Sequence, residues 1–220
     1  YKASELFAKF AKIKPCWKIN IKKNIPVAAG LGGGSSNAAG LLRALNKNYN
    51  CFSNDELLEL AVQVGADVPF FISSVPSLAL GIGEQLEPIN FPADLNLLLV
   101  NPCFPVSSSW AYSHILKINE NLPEAQYILA AISQSCTKKI AESVRNDLAP
   151  ALFAKFAILE IIRDFLLGSG ALTAQISGSG PTVFAITENH KDCKTIQQKV
   201  FDKFAGNVKT YISQPLKKTI

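Results

Sequence analysis

A glycine-rich stretch at residues 26–37 constrains the fold more than any other feature, because four glycines fall within five residues and two serines follow at once. Glycine lets a backbone approach a ligand closely and take a positive φ without strain. Residues 38–45 then show the apolar spacing of a helix, with Ser35 or Ser36 as its expected N-cap. A glycine loop that leads into a helix gathers free backbone N–H groups at the positive end of the helix dipole. The stretch therefore predicts a phosphate-binding loop.

Three other interpretations of this stretch fit the residues less well. A flexible Gly/Ser linker is usually polar on both sides, whereas Ile25-Pro26-Val27 precedes this stretch and an apolar helix follows it. A P-loop needs a lysine after its last glycine, and the chain has a serine there. A dinucleotide fingerprint that begins at Gly30 or Gly32 needs a glycine five residues later, where the chain has Ser35 or Asn37.

The stretch resembles the nucleotide loop of the GHMP small-molecule kinases, whose signature is Pro-x-x-x-Gly-Leu-Gly-(Gly/Ser)-Ser-Ser. The triple glycine and the following residues 35–39 look most like the members that phosphorylate a cytidine diphosphate-linked polyol in the non-mevalonate isoprenoid pathway. Those members often carry Asp where this chain has Asn37, and both residues are compatible with the family. The resemblance implies ATP as phosphate donor, Mg²⁺ as cofactor and the polyol as a small-molecule partner.

The resemblance also assigns ATP binding to the whole loop and to one lysine before it. We expect the backbone donors of the loop to hold the β- and γ-phosphates, Mg²⁺ to bridge them, and Ser36 to help to hold the ion. Lys23 is expected at the rim of the adenine pocket. The expected ATP-binding residues are Lys23, Pro26, Val27, Ala28, Ala29, Gly30, Leu31, Gly32, Gly33, Gly34, Ser35 and Ser36.

An acidic residue follows the next predicted helix. Residues 53–56 form a capping box that begins this helix, and Gly65 is placed to end it in a left-handed cap. Asp67 comes directly afterwards, and by itself it fits a turn residue before a proline. The segment 65–71 resembles the Gly-Ala-Asp-Val-Pro segment of the same kinases, which implies that Asp67 is the catalytic acid/base.

A serine and a tyrosine at a spacing of four begin a further expected helix, near residues 107–109. In the family, a Ser or Thr is followed four residues later by an aromatic residue that stacks on the cytosine of the substrate. The resemblance therefore implies that Ser108 and Tyr112 bind the substrate. Tyr112 also fits a half-buried aromatic of the helix, and Trp110 is expected in the core.

A second glycine motif lies at residues 177–181, between two expected strands. A hairpin turn is one interpretation, since such turns need glycine. The resemblance implies instead the Gly-Ser-Gly motif of the family's C-terminal domain, with substrate contacts from Gly178, Ser179 and Gly180. Residues 145–148 resemble an Asn-Asp-Leu turn of the family, which we interpret as structural.

The rest of the chain predicts further helices and strands, although residues 113–146 reveal no function. Apolar spacing indicates helices over 1–11, 55–64, 150–167 and 191–204, and strands over 17–22, 78–83, 95–100, 172–176, 182–186 and 208–212. The order of elements favours an α+β fold. The resemblance implies the two-domain GHMP kinase fold, with an incomplete, ribosomal-protein-like N-terminal domain (1–100) and a ferredoxin-like C-terminal α/β sandwich (101–220).

Composition excludes several classes of protein. The net charge is +5, but lysine and arginine are scattered rather than clustered, so we expect no nucleic-acid partner. No apolar run approaches the ~20 residues that cross a bilayer, so we expect no membrane partner. Five cysteines without a CxxC pair indicate neither zinc nor a disulfide framework, and favour buried free thiols in a reducing cytoplasm. The oligomeric state stays open.

One element of the family is absent from the sequence. The family pairs its Asp with a Lys in a Pro-Ala-Lys-(Leu/Ile)-Asn segment, which does not occur here, and the chain contains no methionine. We therefore expect that the sequence begins several dozen residues late and that the natural protein is an active kinase. Whether these 220 residues are active stays open, as do a homoserine or mevalonate type of GHMP kinase and a binding module without catalysis.

Overall fold

The computed structural model describes residues 1–91, 94–115 and 125–216, and the chain forms two compact units. Within the described residues, unit 1 comprises Tyr1–Asn24 and Gly32–Ile89, and unit 2 comprises Ile25–Leu31 and the chain from Asn90 onward. The glycine loop is therefore shared between the two units. The units change at residue 90, whereas the sequence placed a domain boundary after residue 100, and that boundary stays a prediction.

Unit 1 is a helical cluster with a small hairpin. Its core contains the fully buried side chains of Phe7 and Leu42, and Trp17 and Phe52 pack edge-on against the Phe7 ring with centroids 6.4 and 5.2 Å away. The elements of unit 1 are α1 (Lys2–Ala11), α2 (Gly33–Tyr49), α3 (Asn54–Val64), α4 (Val68–Ser73), β1 (Ser77–Leu80) and β2 (Gln85–Pro88), with β1 and β2 antiparallel.

The start of α3 confirms its predicted capping box. The Ser53 backbone N–H donates to Glu56 Oε2 at 2.8 Å, and the Glu56 N–H donates to Ser53 Oγ at 3.3 Å. The predicted left-handed cap at the end of this helix is wrong, because Gly65 has φ 177°, which is extended backbone. The Gly65 N–H still bonds to Ala61 O at 3.1 Å, so an extended residue satisfies the last turn equally well.

The strand predicted over residues 17–22 is wrong, since residues 13–24 form neither helix nor strand. The alternation that suggested it leaves Ile19 and Ile21 exposed by 41% and 57%. A strand needs a neighbour for its backbone groups, and the described strands of unit 1, β1 and β2, pair with each other. The strand predicted over 78–83 is found as β1 but ends at Leu80, where glycines with positive φ turn the chain.

Unit 2 is a four-stranded antiparallel sheet covered by helices. Its elements are β3 (Asn96–Asn101), α5 (Ser108–Ser113), α6 (Ala125–Ser133), α7 (Thr137–Ser143), α8 (Ala149–Lys155), α9 (Ala157–Gly168), β4 (Thr173–Ile176), β5 (Val183–Thr187), α10 (His190–Phe204) and β6 (Lys209–Ser213). The strand order β4-β5-β3-β6 in a β-α-β-β-α-β sequence is the ferredoxin-like arrangement that the family resemblance implied. Part of the uninformative segment 113–146, residues 116–124, lies outside the described residues.

The helix predicted over 150–167 is broken into α8 and α9 at Phe156, which has φ −127° and ψ 76°. The Phe156 ring packs against Phe104 and Trp110, with centroids 5.2 and 5.9 Å away. These contacts turn the chain at a residue that carries no glycine or proline signal. The fully buried side chains of α9 are Leu159, Ile162 and Leu166, and they belong to the core of unit 2.

The thiols are more exposed than the sequence predicted. All five cysteines are described and free, but Cys16, Cys51 and Cys103 are exposed and Cys193 alone is buried. The prediction that all of them are buried is therefore wrong, because three of them lie outside the helices and strands. Along the described ranges of the chain, no helix has the length and apolar character to cross a membrane.

The capping box predicts that the stability of unit 1 depends on pH. The Ser53 backbone N–H, and then its hydroxyl, lower the pKa of the Glu56 carboxyl below its ordinary value. A lowered folded-state pKa stabilises the fold above the ordinary pKa and loses that effect as the pH falls through the lowered value. We predict that Glu56→Gln reduces the free energy of unfolding at neutral pH and that the difference from wild type disappears in acid. Denaturant unfolding at several pH values measures this, with Glu59→Gln on the same helix as control.

Candidate active site

The glycine loop enters α2 through a left-handed residue. Gly32 is the N-cap with φ 62°, and the helix begins at Gly33. The prediction of Ser35 or Ser36 as N-cap is therefore wrong. Gly33 and Gly34 already adopt helical backbone, although glycine has a low helix propensity. Ser36 lies within the first turn, where its Oγ donates to Gly33 O at 3.3 Å.

The start of α2 and the residues just before it leave a row of backbone donors without acceptors. The Ser36 N–H donates to Gly32 O at 2.8 Å. Among the described residues, the N–H groups of residues 30–35 find no acceptor. Gly34 is exposed, and a Cβ added there would meet no atom within 4 Å. Free donors at the positive end of a helix, with open space beside Gly34, favour an anionic ligand.

A lysine adds positive charge at the same place. Lys23 Nζ donates to Gly33 O at 3.1 Å, so its ammonium lies on the first turn of α2. The sequence placed Lys23 at the rim of an adenine pocket, and contact with adenine stays a prediction. Its position at the helix start suits a charged phosphate chain equally well.

Helix α4 connects Asp67 to the glycine loop within unit 1. The Phe71 ring lies against Gly32, where an added Cβ would come 2.5 Å from the ring. Asp67 directly precedes α4, one helical turn before Phe71, and is exposed. Its carboxylate neither caps α4 nor forms another hydrogen bond or ion pair with the described residues. An exposed, unpaired carboxylate is available to accept a proton from a bound hydroxyl.

The first half of the loop is held by unit 2. The three consecutive carbonyl groups of residues 28–30 accept hydrogen bonds in turn from the Val106 N–H (3.2 Å), the Thr182 N–H (3.3 Å) and the Ser177 hydroxyl (2.8 Å). In a trans peptide the N–H points away from the C=O of the same unit. Bonded carbonyls at residues 29 and 30 therefore direct the next two N–H groups to the opposite side.

The two glycine motifs lie against each other in unit 2. Gly30 has φ 70°, and a Cβ added to it would collide with Ser177 O and the Gly180 backbone. A Cβ added to Gly178 would lie 3.5 Å from Gly30 O. The hairpin interpretation of residues 177–181 is correct as geometry, since they join the antiparallel strands β4 and β5. The same turn also positions the first glycine loop.

The predicted substrate residues are partly brought together. Ser108 Oγ and Ser179 Oγ share a hydrogen bond of 2.8 Å, and Tyr112 is 65% exposed. The alternative of a half-buried Tyr112 is therefore wrong. Ser107 caps α5, accepting from the Trp110 N–H at 3.3 Å. Trp110 lies at the edge of the core, partly buried, with Lys155 Nζ 3.7 Å from its ring centre.

A cavity begins at the first residues of the loop. Pro26 and Val27 line a space of about 410 Å³ in unit 2, together with Phe104, Pro105 and Lys209 and with Asn101 and Cys103. Its walls are mostly apolar. The sequence assigned Pro26 and Val27 to ATP, and that assignment stays a prediction.

Sequence reasoning missed the polar residues behind the second glycine motif. Asn146 Nδ2 donates to Ile176 O at 2.9 Å and to Gly178 O at 2.7 Å. Asn101 Nδ2 donates at 2.9 Å to the hydroxyl of Thr182, which is fully buried. These partners are far apart in the sequence, so no local pattern could have linked them.

Comparisons with known proteins agree with the family resemblance of the sequence and with the observed fold. The GHMP kinases N terminal domain family matches residues 1–74, and the GHMP kinases C terminal family matches residues 128–206. The 4-diphosphocytidyl-2-C-methyl-D-erythritol kinase of Acetivibrio thermocellus is 40% identical over 194 residues, which is 87% of this chain and 68% of that protein. The kinase of the same name from Clostridioides difficile is 38% identical over 207 residues, 93% of this chain and 70% of that protein.

Solved structures give the same result. A crystal structure of 4-(cytidine 5'-diphospho)-2C-methyl-D-erythritol kinase superposes with a TM-score of 0.78 and 28% identity, and covers 97% of this chain and 76% of that one. The homoserine kinase of Cytophaga hutchinsonii superposes with a TM-score of 0.74, covering 88% of this chain and 68% of that one, and at 22% identity it supports the fold alone. With both domain families matched in order and a relative 40% identical over two thirds of its length, this chain belongs to the GHMP kinase family.

Proposed function

We propose that this chain is an ATP-dependent kinase that phosphorylates the 2-hydroxyl of 4-diphosphocytidyl-2-C-methyl-D-erythritol, in the non-mevalonate route to isoprenoid precursors. The observation that carries the proposal is the row of free N–H groups at residues 30–35, beside the Lys23 ammonium. The substrate is proposed because relatives 38–40% identical are named for this kinase activity. We place the reaction in the cytoplasm, with small molecules as partners.

The loop would bind the β- and γ-phosphates of ATP. Phosphoryl transfer depends on positioning and on neutralising charge more than on covalent chemistry by the protein. Free N–H groups from Gly30 to Ser35 supply donors without any rearrangement, since no acceptor in the described residues competes for them. The Lys23 ammonium, held on Gly33 O, adds a positive charge that compensates for the charge of the phosphates.

The side chains near the loop fit a magnesium ion that is bound mainly through ATP. Mg²⁺ takes oxygen ligands, keeps several waters and is usually held by substrate phosphates with one or two protein groups. Within the parts of the chain that the structure describes, His, Cys, Asp and Glu form no cluster of three that could hold a metal by itself. Ser36 Oγ, on the first turn of α2, is the proposed protein ligand. When bound, the ion neutralises charge on the transferred phosphate.

Asp67 is the proposed acid/base. Its exposed carboxylate has no partner in the described residues, so a substrate hydroxyl would not have to displace one. It would accept the proton of the attacking 2-hydroxyl or orient that hydroxyl. Its neighbour α4 packs on Gly32 through Phe71, which fixes the backbone of Asp67 relative to the start of α2.

Unit 2 supplies the proposed substrate contacts. The Tyr112 ring is 65% exposed and free to stack on cytosine, as aromatic side chains do with bases. Ser108 and Ser179 offer hydroxyl groups that already lie together at 2.8 Å. Gly178 and Gly180, which flank Ser179, both take positive φ, and the exposed Gly178 leaves its backbone open to close approach.

Binding of ATP by the loop is tested with two glycines of the same helix. A Cβ at Gly34 or at Gly40 would meet no protein atom within 4 Å, so Gly34→Val and Gly40→Val should both fold. Only the former places a branched side chain before the free donors. We predict that Gly34→Val weakens Mg·ATP binding about ten- to hundredfold, by loss of a charge-assisted hydrogen bond, and that Gly40→Val leaves it unchanged. Calorimetric titration of ATP into the chain measures both, and equal affinities would refute the assignment.

Recognition of the base is tested at Tyr112. Stacking on an aromatic is worth about 1–3 kcal/mol per base, so Tyr112→Ala should raise the KM for the cytidylyl substrate about ten- to hundredfold. The KM for ATP should stay unchanged, because ATP is bound elsewhere. Steady-state kinetics with each substrate varied in turn measure this split, and Tyr127→Ala, an exposed tyrosine on α6, is the control. A parallel rise of both KM values would contradict the stacking role.

The role of Asp67 is tested by Asp67→Asn, which keeps the side-chain volume but removes the charge and the base. General-base catalysis typically contributes 10²–10⁴-fold, so we expect kcat to fall by about that factor, with ATP affinity maintained. The measurements are kcat, ATP affinity and Tm on one preparation of the protein as its gene encodes it. Asp55→Asn on α3 is the control. A stable variant with near-normal kcat would show that Asp67 takes no part in the chemistry. Turnover of homoserine or mevalonate by the wild-type protein, in place of the cytidylyl substrate, would contradict the proposed substrate.

A further inference from the structure

Asn146 lies at a junction between a helix start and the second glycine motif. Its Oδ1 accepts from the Leu148 N–H at 2.9 Å, just before α8 begins. Its Nδ2 donates to the carbonyl groups of Ile176 and Gly178, at 2.9 and 2.7 Å. One amide therefore bonds through its oxygen to the helix start and through its nitrogen to the turn, so the two functions can be separated chemically.

The turn that Asn146 holds also binds the proposed nucleotide loop. We define this turn as residues 177–182. Its two ends bond to consecutive carbonyl groups of the loop, since the Ser177 hydroxyl donates to Gly30 O at 2.8 Å and the Thr182 N–H donates to Ala29 O at 3.3 Å. Asn101 supports the far end through Thr182 Oγ1 at 2.9 Å. All of these contacts lie within unit 2.

Movement of this turn would reorient the donors of the loop. The carbonyl of Gly30 belongs to the same peptide unit as the Leu31 N–H, and that of Ala29 to the same unit as the Gly30 N–H. Both N–H groups are without acceptors among the described residues. A turn that no longer holds the two carbonyls in place leaves these two peptides free to rotate, and the orientation of their N–H groups is no longer fixed.

We propose that Asn146 is a positioning residue for ATP binding, which acts through residues 177–182 to orient the peptides of the nucleotide loop. The proposal rests on the assignment of ATP to this loop. It gives a function to a residue whose Asn-Asp-Leu context indicates only a turn before a helix.

The substitution Asn146→Asp separates the bonds to the turn from the bond to Leu148 before α8. Aspartate keeps an oxygen that accepts from the Leu148 N–H, and a carboxylate suits the start of α8. It has no hydrogen to donate, so both bonds to Ile176 O and Gly178 O are lost. The helix start thus survives while the turn is released.

A second asparagine of unit 2 provides the matched control. Asn189 caps α10, where its Oδ1 accepts from the Asp192 N–H at 3.0 Å and its Nδ2 donates to Asp192 Oδ2 at 2.8 Å. Asn189→Asp likewise keeps the accepting oxygen and loses the donor, and residue 189 contacts neither glycine motif. Any effect that comes only from a less stable unit 2 should appear in both variants.

The test combines calorimetric titration of Mg·ATP with amide hydrogen exchange at Thr182, well below the Tm of each variant. For Asn146→Asp we expect faster exchange of the Thr182 amide and ATP affinity reduced by about tenfold, the effect of losing one to two hydrogen bonds. Asn189→Asp should leave both unchanged.

Three results would overturn the proposal. The first is unchanged ATP affinity in Asn146→Asp while the wild-type chain binds ATP, and the second is an equal loss of affinity in Asn189→Asp. The third is a wild-type chain that does not bind ATP, which refutes the proposed function together with the positioning role. The first two outcomes refute the positioning role alone.

Discussion

The hydrogen bonds to the carbonyl groups of residues 28–30 fix the orientation of the peptides in the first half of the glycine loop. The candidate phosphate site depends on this orientation. Each of these carbonyls has a donor from unit 2, and each bonded carbonyl directs the following N–H to the other side of its peptide. Donors that are oriented before the ligand arrives lower the cost of binding, because the loop need not be ordered by the phosphate. The second glycine motif thus supports the glycine loop that we propose binds the nucleotide.

Local chemistry of the chain was sufficient to predict many of the elements. The capping box at Ser53 and Glu56 fixes the start of α3 by contacts three residues apart, and these are visible in the sequence. Residues 17–22 show the limit of such reasoning, since their alternation is that of a strand but no strand forms. Phe156 shows it again, because the break between α8 and α9 follows from ring packing against residues far away in the sequence.

The candidate site also combines features that are local in the sequence, and could be predicted, with contacts between distant residues, which could not. Glycine and serine in the stretch 30–36 indicate phosphate binding by themselves, since free N–H groups at a helix start are a local property. Their N-cap was misassigned, because Gly32 takes positive φ and lets the helix begin two residues before Ser35. The supports could not be predicted, since Asn146 contacts a carbonyl 32 residues away and Asn101 contacts a hydroxyl 81 residues away. Such pairings depend on the sheet that brings distant segments together.

The central claim is that the free backbone donors of residues 30–35 bind the phosphates of ATP, and the most direct test observes those N–H groups themselves. In a ¹⁵N-labelled chain titrated with Mg·ATP, the account predicts that the largest amide shifts occur at residues 30–35, with adenosine alone leaving these amides nearly unmoved. Saturable ATP binding that leaves these amides unshifted, or that shifts them no more with ATP than with adenosine, would contradict it.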